Sequence, residues 1–314
     1  MRIPPSVFPP LFFYLWILFL SGCSPSSPPA IATLAEAHQK FLKLCKEEYN
    51  LAVVLKPLPS TLWIYLPVTE NIIEYKASLE GAPRSAKPTQ ELLLHYVDGH
   101  FENETFHVEY DIVKGFSDPS QKSLKSFYTE EFQRKQNNLL TALFRSYSDL
   151  DLEKKESASQ KGGPYLEKTD APPPFVVLVA SDIKRGVEAI LIFSFEDFRY
   201  TMTGLIPQEE FALRSITEFR GGQGIVADEE GRHLALKEMT WPEFLTKQIL
   251  NRIRFKYQTS DFKPSDDAET EILTIVAQTL KAYSFGDFTS VRLHNLRSDQ
   301  HYLFNRSQLE TFLK

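Results

Sequence analysis

The sequence predicts an α+β fold: antiparallel sheet with helices packed on one face, assembled from recurring helix-strand-strand units. Three observations point there. Segments with apolar residues at helical spacing are each followed by two short strand-like runs, at 31–68, at 122–195 and at 270–304. The strand candidates lie close together and are separated by turn residues, as antiparallel hairpins require. Glycine is sparse, 13 in 314 residues, which weighs against the phosphate loops of doubly wound parallel sheets. A helix on a hairpin buries one face of each. The match between units is in element order, not in residues, so true repeat and chance recurrence both stay open.

Taken in order, 31–49 places Leu34, His38, Phe41, Leu42, Cys45 and Tyr49 on one helical face, and Asn50 stops it. Residues 51–56 alternate as a strand, 57–60 turn, and 61–68 (TLWIYLPV) form a second strand. After a polar connection over 80–90, 91–98 and 105–113 form a hairpin around 99–104. A long helical pattern runs over 122–150, through Leu124, Phe127, Phe132, Leu139, Leu140, Leu143 and Phe144. Residues 151–174 are a low-complexity loop rich in Lys, Glu, Ser and Pro. The apolar run 175–180 (FVVLVA) reads as a buried central strand, with another strand at 187–195. A helix at 207–216, a hairpin at 224–236 turning at 228–232, and a helix at 241–257 follow. Pro242 sits where a helix start tolerates proline. Beyond the polar linker 260–267 come a helix at 270–283, a hairpin of 288–294 and 301–304, and a short terminal helix.

The first 23 residues have a different logic. Arg2 supplies positive charge, Leu11 to Leu20 is an unbroken apolar run of ten, and Leu20-Ser21-Gly22-Cys23 follows directly. Ten residues are too few to span a bilayer comfortably and suit the apolar region of a signal peptide. The tetrapeptide resembles the lipobox of bacterial lipoproteins. That resemblance covers only the first 24 residues, and the prolines at 4, 5, 9 and 10 depart from it. It implies export, cleavage before Cys23, and diacylglycerol on the Cys23 thiol, with several acyl chains giving stable anchoring. Ser24, which is not Asp, implies the periplasmic face of the outer membrane if the host has two membranes. Domain organisation then reads as a signal peptide (1–22), a lipidated tether (23–30), an α+β domain (31–258) and a C-terminal helix-hairpin-helix unit (259–314) packed on the same domain.

Composition narrows the function. Hydrophobic residues at 42% and charged residues at 24% suit a globular domain. A net charge of -6 with no basic block argues against nucleic acid as a partner. With Cys23 lipidated, Cys45 has no disulfide partner, and its place on an apolar helix face predicts burial.

Candidate chemistry is thin. His95, His100 and His107 surround one hairpin, and His294 and His301 flank another. Metal ligands must converge on one face, and these sit in separate strands or turns, so no metal site and no cofactor are expected. Gly221-Gly222-Gln223-Gly224 lacks the following helix of a phosphate cradle and reads as a turn. The pairs Glu130–Glu131, Glu209–Glu210 and Asp266–Asp267 are adjacent and point apart, as solvated surface does. Asp182, at the end of the most apolar strand, is the best single functional candidate; a tight turn capped by its carboxylate is the competing reading. Trp63 and Tyr65 share one strand face and form either an exposed binding surface or part of a second packing layer. The expectation is a noncatalytic, lipid-anchored envelope protein that binds another envelope component. A membrane-anchored hydrolase acting on envelope material and a small-ligand carrier are the alternatives.

Overall fold

The computed structural model describes residues 33–77, 89–117, 124–148, 172–221, 227–258 and 267–313. The leader with Cys23, the tether, most of the 151–174 loop and Gly222 to Gly224 lie outside the described residues.

Helix α1 (Leu34–Glu47) starts at Thr33, whose hydroxyl accepts from the Glu36 N–H while the Glu36 carboxylate accepts from Thr33 N–H. This capping box satisfies two N–H groups that a bare helix end leaves unpaired. Strands β1 (Val54–Pro57) and β2 (Thr61–Val68) pair antiparallel. Strand β3 (Ile73–Ala77) pairs with β6 (Leu124–Tyr128) in a separate ribbon. Between them, β4 (Thr89–Glu102) and β5 (Thr105–Ser117) make a long hairpin whose turn residues Asn103 and Glu104 take φ of 49° and 56°. Two consecutive left-handed residues suit the twist of a tight hairpin.

The expected helix over 122–150 is two elements. Leu124–Tyr128 is strand β6, and helix α2 (Glu130–Tyr147) begins only after Thr129, whose hydroxyl accepts from the Phe132 N–H. Leu124 and Phe127 happen to fall at helical spacing, but their backbone pairs with β3. Strands β7 (Phe175–Asp182) and β8 (Val187–Ser194) follow, then α3 (Phe195–Met202) and α4 (Gln208–Arg214), then β9 (Ile216–Gly221). The described residues do not form the hairpin expected at 224–236: residues 227–240 contain turns and irregular backbone, and 224–226 lie outside the described residues. Side chains of β1 and β2 hold this segment in place of a strand ladder. Lys56 Nζ donates to Gly231 O (2.8 Å), Tyr65 Oη to Asp228 O (2.6 Å) and Trp63 Nε1 to Lys237 O (2.9 Å), while Thr61 Oγ1 accepts from Met239 N–H (2.7 Å). Helices α5 (Trp241–Gln258) and α6 (Ala268–Ala282), the hairpin β10 (Ser290–Asn295) and β11 (Gln300–Asn305), the short α7 (Arg306–Leu309) and a 3-10 turn (Glu310–Leu313) follow.

The α+β class holds. The larger sheet has order β1-β2-β7-β8-β9, with β2 and β7 parallel and the other neighbours antiparallel. The smaller has order β11-β10-β5-β4, with β10 and β5 parallel. The smaller sheet is thus two hairpins joined by one parallel pair, and the larger is a hairpin joined by one parallel pair to the three-stranded antiparallel run β7-β8-β9. Alternation along β7 sends Val176, Leu178 and Ala180 to one face and Phe175, Val177 and Val179 to the other. The first face packs on α1, α2 and α3 through Phe41, Leu143, Tyr147 and Phe198. The second packs on α5 and α6, which also cover the inner face of the smaller sheet through Phe106, Val108, Tyr110 and Val291. The larger sheet therefore carries helices on both faces, which explains why β7 is buried along its whole length. The smaller sheet has them on one. Helix-strand-strand order recurs at α1-β1-β2, α2-β7-β8 and α6-β10-β11. Among the described residues no helix is long and apolar enough to cross a membrane.

Candidate functional site

Where the two sheets diverge, a cavity of about 1090 Å³ opens between β8, β9, the irregular 233–239 segment, α5 and the tip of the β4–β5 hairpin. Its floor is the second face of the larger sheet: Val177, Val179, Ile190, Ile192 and Ile216, with Trp63 to one side. Strand alternation supplies this floor, because Val177 and Val179 on β7 and Ile190 and Ile192 on β8 fall two residues apart on one face. Gly99 marks the approach of β4 to α5. A Cβ there would lie 2.4 Å from the His107 carbonyl oxygen and 3.4 Å from Leu250 Cδ2. The close strand pairing at this wall needs a residue without a side chain.

The rim is ionic and largely pairs with itself. Glu218 on β9 accepts from Lys247 on α5 (2.7 Å) and from Arg220 (3.3 Å). Burial by itself would push the Glu218 carboxyl up; the Lys247 and Arg220 charges outweigh it and hold it below the ordinary carboxylate range. Lys237 pairs with Glu243, which is likewise lowered against its burial. Arg254 donates to the Val97 carbonyl (3.1 Å).

Deeper in the wall is a small polar cluster. The Ser181 hydroxyl donates to Glu188 Oε1 at 2.7 Å, and His233 Nε2 meets the same oxygen at 2.7 Å. Ser181 is wholly buried and Glu188 nearly so. The Tyr65 ring stands edge-on to His233 with centroids 5.7 Å apart. Serine, histidine and acid are all present, but in the wrong order for nucleophilic catalysis. Activation needs the serine proton to go to the imidazole, with the acid behind it. Here the acid lies in the middle and takes the hydrogen bond from both neighbours. The cluster works as a clamp that ties β7, β8 and the 228–239 segment together.

Asp182 points to the other side of β7. It is 1% exposed and accepts from the Lys184 and Arg185 N–H groups (3.0 and 3.1 Å) and from the Arg185 guanidinium (3.0 Å). Its observed work is to cap the β7–β8 turn, where Gly186 takes φ of 66°. Tyr65 is buried under the irregular segment and offers no surface; Trp63 is half-buried and borders the cavity. Cys45 is buried on α1, as its helix face predicts, and the apolar surroundings push its thiol up to about 12.

The histidines are the largest departure from the sequence reading. Hairpin register sets His100 opposite His107 and His294 opposite His301, with rings stacked at 4.5 Å and 3.9 Å between centroids. Residues in separate strands converge when they are cross-strand neighbours on one face. Equal distance of each pair from its turn was the available signal.

No family model, curated protein or solved structure matches the chain. The functional reading therefore rests on the cavity and on the leader alone.

Proposed function

We propose that this chain is a noncatalytic binding protein of the cell envelope, held to a membrane by lipid on Cys23, whose cavity receives an amphipathic guest. The observation that carries this reading is the cavity's construction. A floor of Val and Ile side chains lies beneath a rim in which Glu218 is matched by Lys247 and Glu243 by Lys237. Such a lining favours an apolar body and tolerates a polar end, the usual division of labour in ligand sites. The hydrolase alternative would need Asp182 and nearby polar groups to converge in a cleft, yet the Asp182 carboxylate is buried on the β7–β8 turn and on Arg185, and the adjacent Ser181 hydroxyl is buried against Glu188.

Native mass spectrometry of the full chain released from its own membranes tests the cavity. The expected result is a guest at one per chain, lost when Ala235→Trp fills the cavity mouth. A wild-type chain that carries nothing, or a guest retained by the filled variant, would sink the reading. The anchor is tested separately by feeding labelled palmitate: label on the wild type and none on Cys23→Ala is expected, and equal labelling of both refutes the lipid assignment.

A further inference from the structure

We propose that the β10–β11 hairpin carries a zinc-class metal site formed by His294, Asp299 and His301, with Glu109 as its supporting carboxylate. One donor atom from each of the three residues lies within 4.8 Å of the others. His294 Nε2 is 3.1 Å from Asp299 Oδ1, and His301 Nε2 is 3.8 Å from the same oxygen. Tetrahedral zinc with bonds near 2.1 Å separates its ligand atoms by about 3.4 Å, so the three need to shift by only tenths of an ångström to around one ångström. The backbone explains the convergence. His294 and His301 are directly opposed across the ladder, and Asp299, two residues before His301, is set on that side by a turn in which its own φ is 54°.

The fourth residue comes from another strand. Parallel pairing puts Glu109 of β5 in register with His294 of β10, and its carboxylate lies 3.6 Å from His294 Nδ1. His294 therefore has one ring nitrogen toward the metal position and the other toward a carboxylate. That is the arrangement by which an outer carboxylate fixes the tautomer and orientation of a metal-bound imidazole. Two imidazoles and a carboxylate suit zinc and its neighbours over calcium or magnesium, which prefer all-oxygen shells. Three protein ligands leave the fourth position to water or to a ligand from solution. The stacked pair His100–His107 lies on the same outer face of the sheet, with Glu102 3.9 Å from His100. It serves as an internal control. The site lies at β10 and β11, on the side of the sheet away from edge strand β4, so it stands independently of the cavity reading.

Zinc chloride titrated calorimetrically into the full chain in detergent tests the proposal. One saturable site is expected in the wild type and in the His100→Ala/His107→Ala double variant. It is expected to disappear in His294→Ala and in His301→Ala, and to weaken about tenfold in Glu109→Gln. Circular dichroism and unfolding midpoints without zinc separate lost binding from lost fold, since these side chains lie on the outer face of the sheet. Absence of a saturable site in the wild type, its survival in His294→Ala, or its loss in the control variant overturns the assignment. Unchanged affinity in Glu109→Gln overturns the supporting role of that carboxylate.

Discussion

Replacing His233 by Phe isolates the contribution of the Ser181–Glu188–His233 cluster. Phenylalanine keeps the edge contact with Tyr65 and removes the hydrogen bond to Glu188 Oε1, 2.7 Å long, together with the buried Nδ1, which has no hydrogen-bond partner. The Glu188 side chain is 5% exposed, so water does not readily replace the lost partner. Leaving a buried polar group short of a partner costs about 1–3 kcal/mol. With an m-value of about 3 kcal/mol per molar urea, the midpoint falls by roughly 0.3–1 M. Glu188→Leu carries its own cost, because it strands the Ser181 hydroxyl and the His233 ring nitrogen together. The double variant Glu188→Leu/His233→Phe should then lose less than the two singles combined, with a coupling of about 0.5–3 kcal/mol. Urea unfolding followed by far-ultraviolet circular dichroism measures all four corners of the cycle. Additivity within about 0.5 kcal/mol would refute the clamp, since the residues would then not depend on one another.

Other consequences are as direct. In a Cys23→Ala chain, Cys45 is the one remaining thiol; burial holds it protonated at pH 8, so a thiol-specific chromogenic reagent should react only after urea is added. Burial lowers the His38 imidazole below its ordinary value. Above the unfolded value near 6.5 both states are neutral and His38 adds nothing; as pH falls below it, the unfolded chain takes up a proton that the folded chain refuses, so stability drops. His38→Phe should flatten the decline in urea midpoint between pH 7.5 and 5.5, and an unchanged slope counts against His38 as its source. Gly99→Ala forces a methyl against the His107 carbonyl and should cost about 1–3 kcal/mol by urea denaturation, whereas a neutral result would mean that β4 and β5 are not so closely paired there.

The parts of the fold legible in the sequence are those whose signals are local. The helical spacing of 31–49, the unbroken run 175–180 and the helical spacing of 270–283 each carry their own explanation. The segment 122–150 misled because Leu124 and Phe127 continue the helical period by coincidence. Thr129 before Glu130 and Glu131 was the overlooked start signal. Ser194 before Phe195-Glu196-Asp197 is a second such cap, and reading strand through Phe195 hid helix α3. At 224–236 the turn formers do make turns, but the Asp228 and Gly231 carbonyls bond to Tyr65 and Lys56, more than 160 residues earlier. No local pattern encodes that. The cavity was illegible for the same reason, since its walls come from β8, β9, α5 and a β4 tip that meet only in three dimensions.

The parallel joins carry the functional geometry of both sheets. Within each hairpin, register follows from turn length and alternation, so cross-strand neighbours such as His294 and His301 are fixed by a few residues of chain. Joining one hairpin to the next in parallel needs a long crossover, and its register depends on how the intervening helices pack. Those joins bring Glu109 beside His294, 185 positions apart, and Tyr65 beside Val179 at the edge of the buried cluster. A hairpin alone presents two imidazoles and a turn carboxylate; the parallel neighbour adds the residue that would orient them. The β1–β2 hairpin alone presents a tyrosine; the parallel neighbour supplies Ser181 and, through β8, Glu188. Substitutions that disturb the crossover helices α2 or α6 should therefore disable these sites before they unfold the hairpins that hold most of their residues.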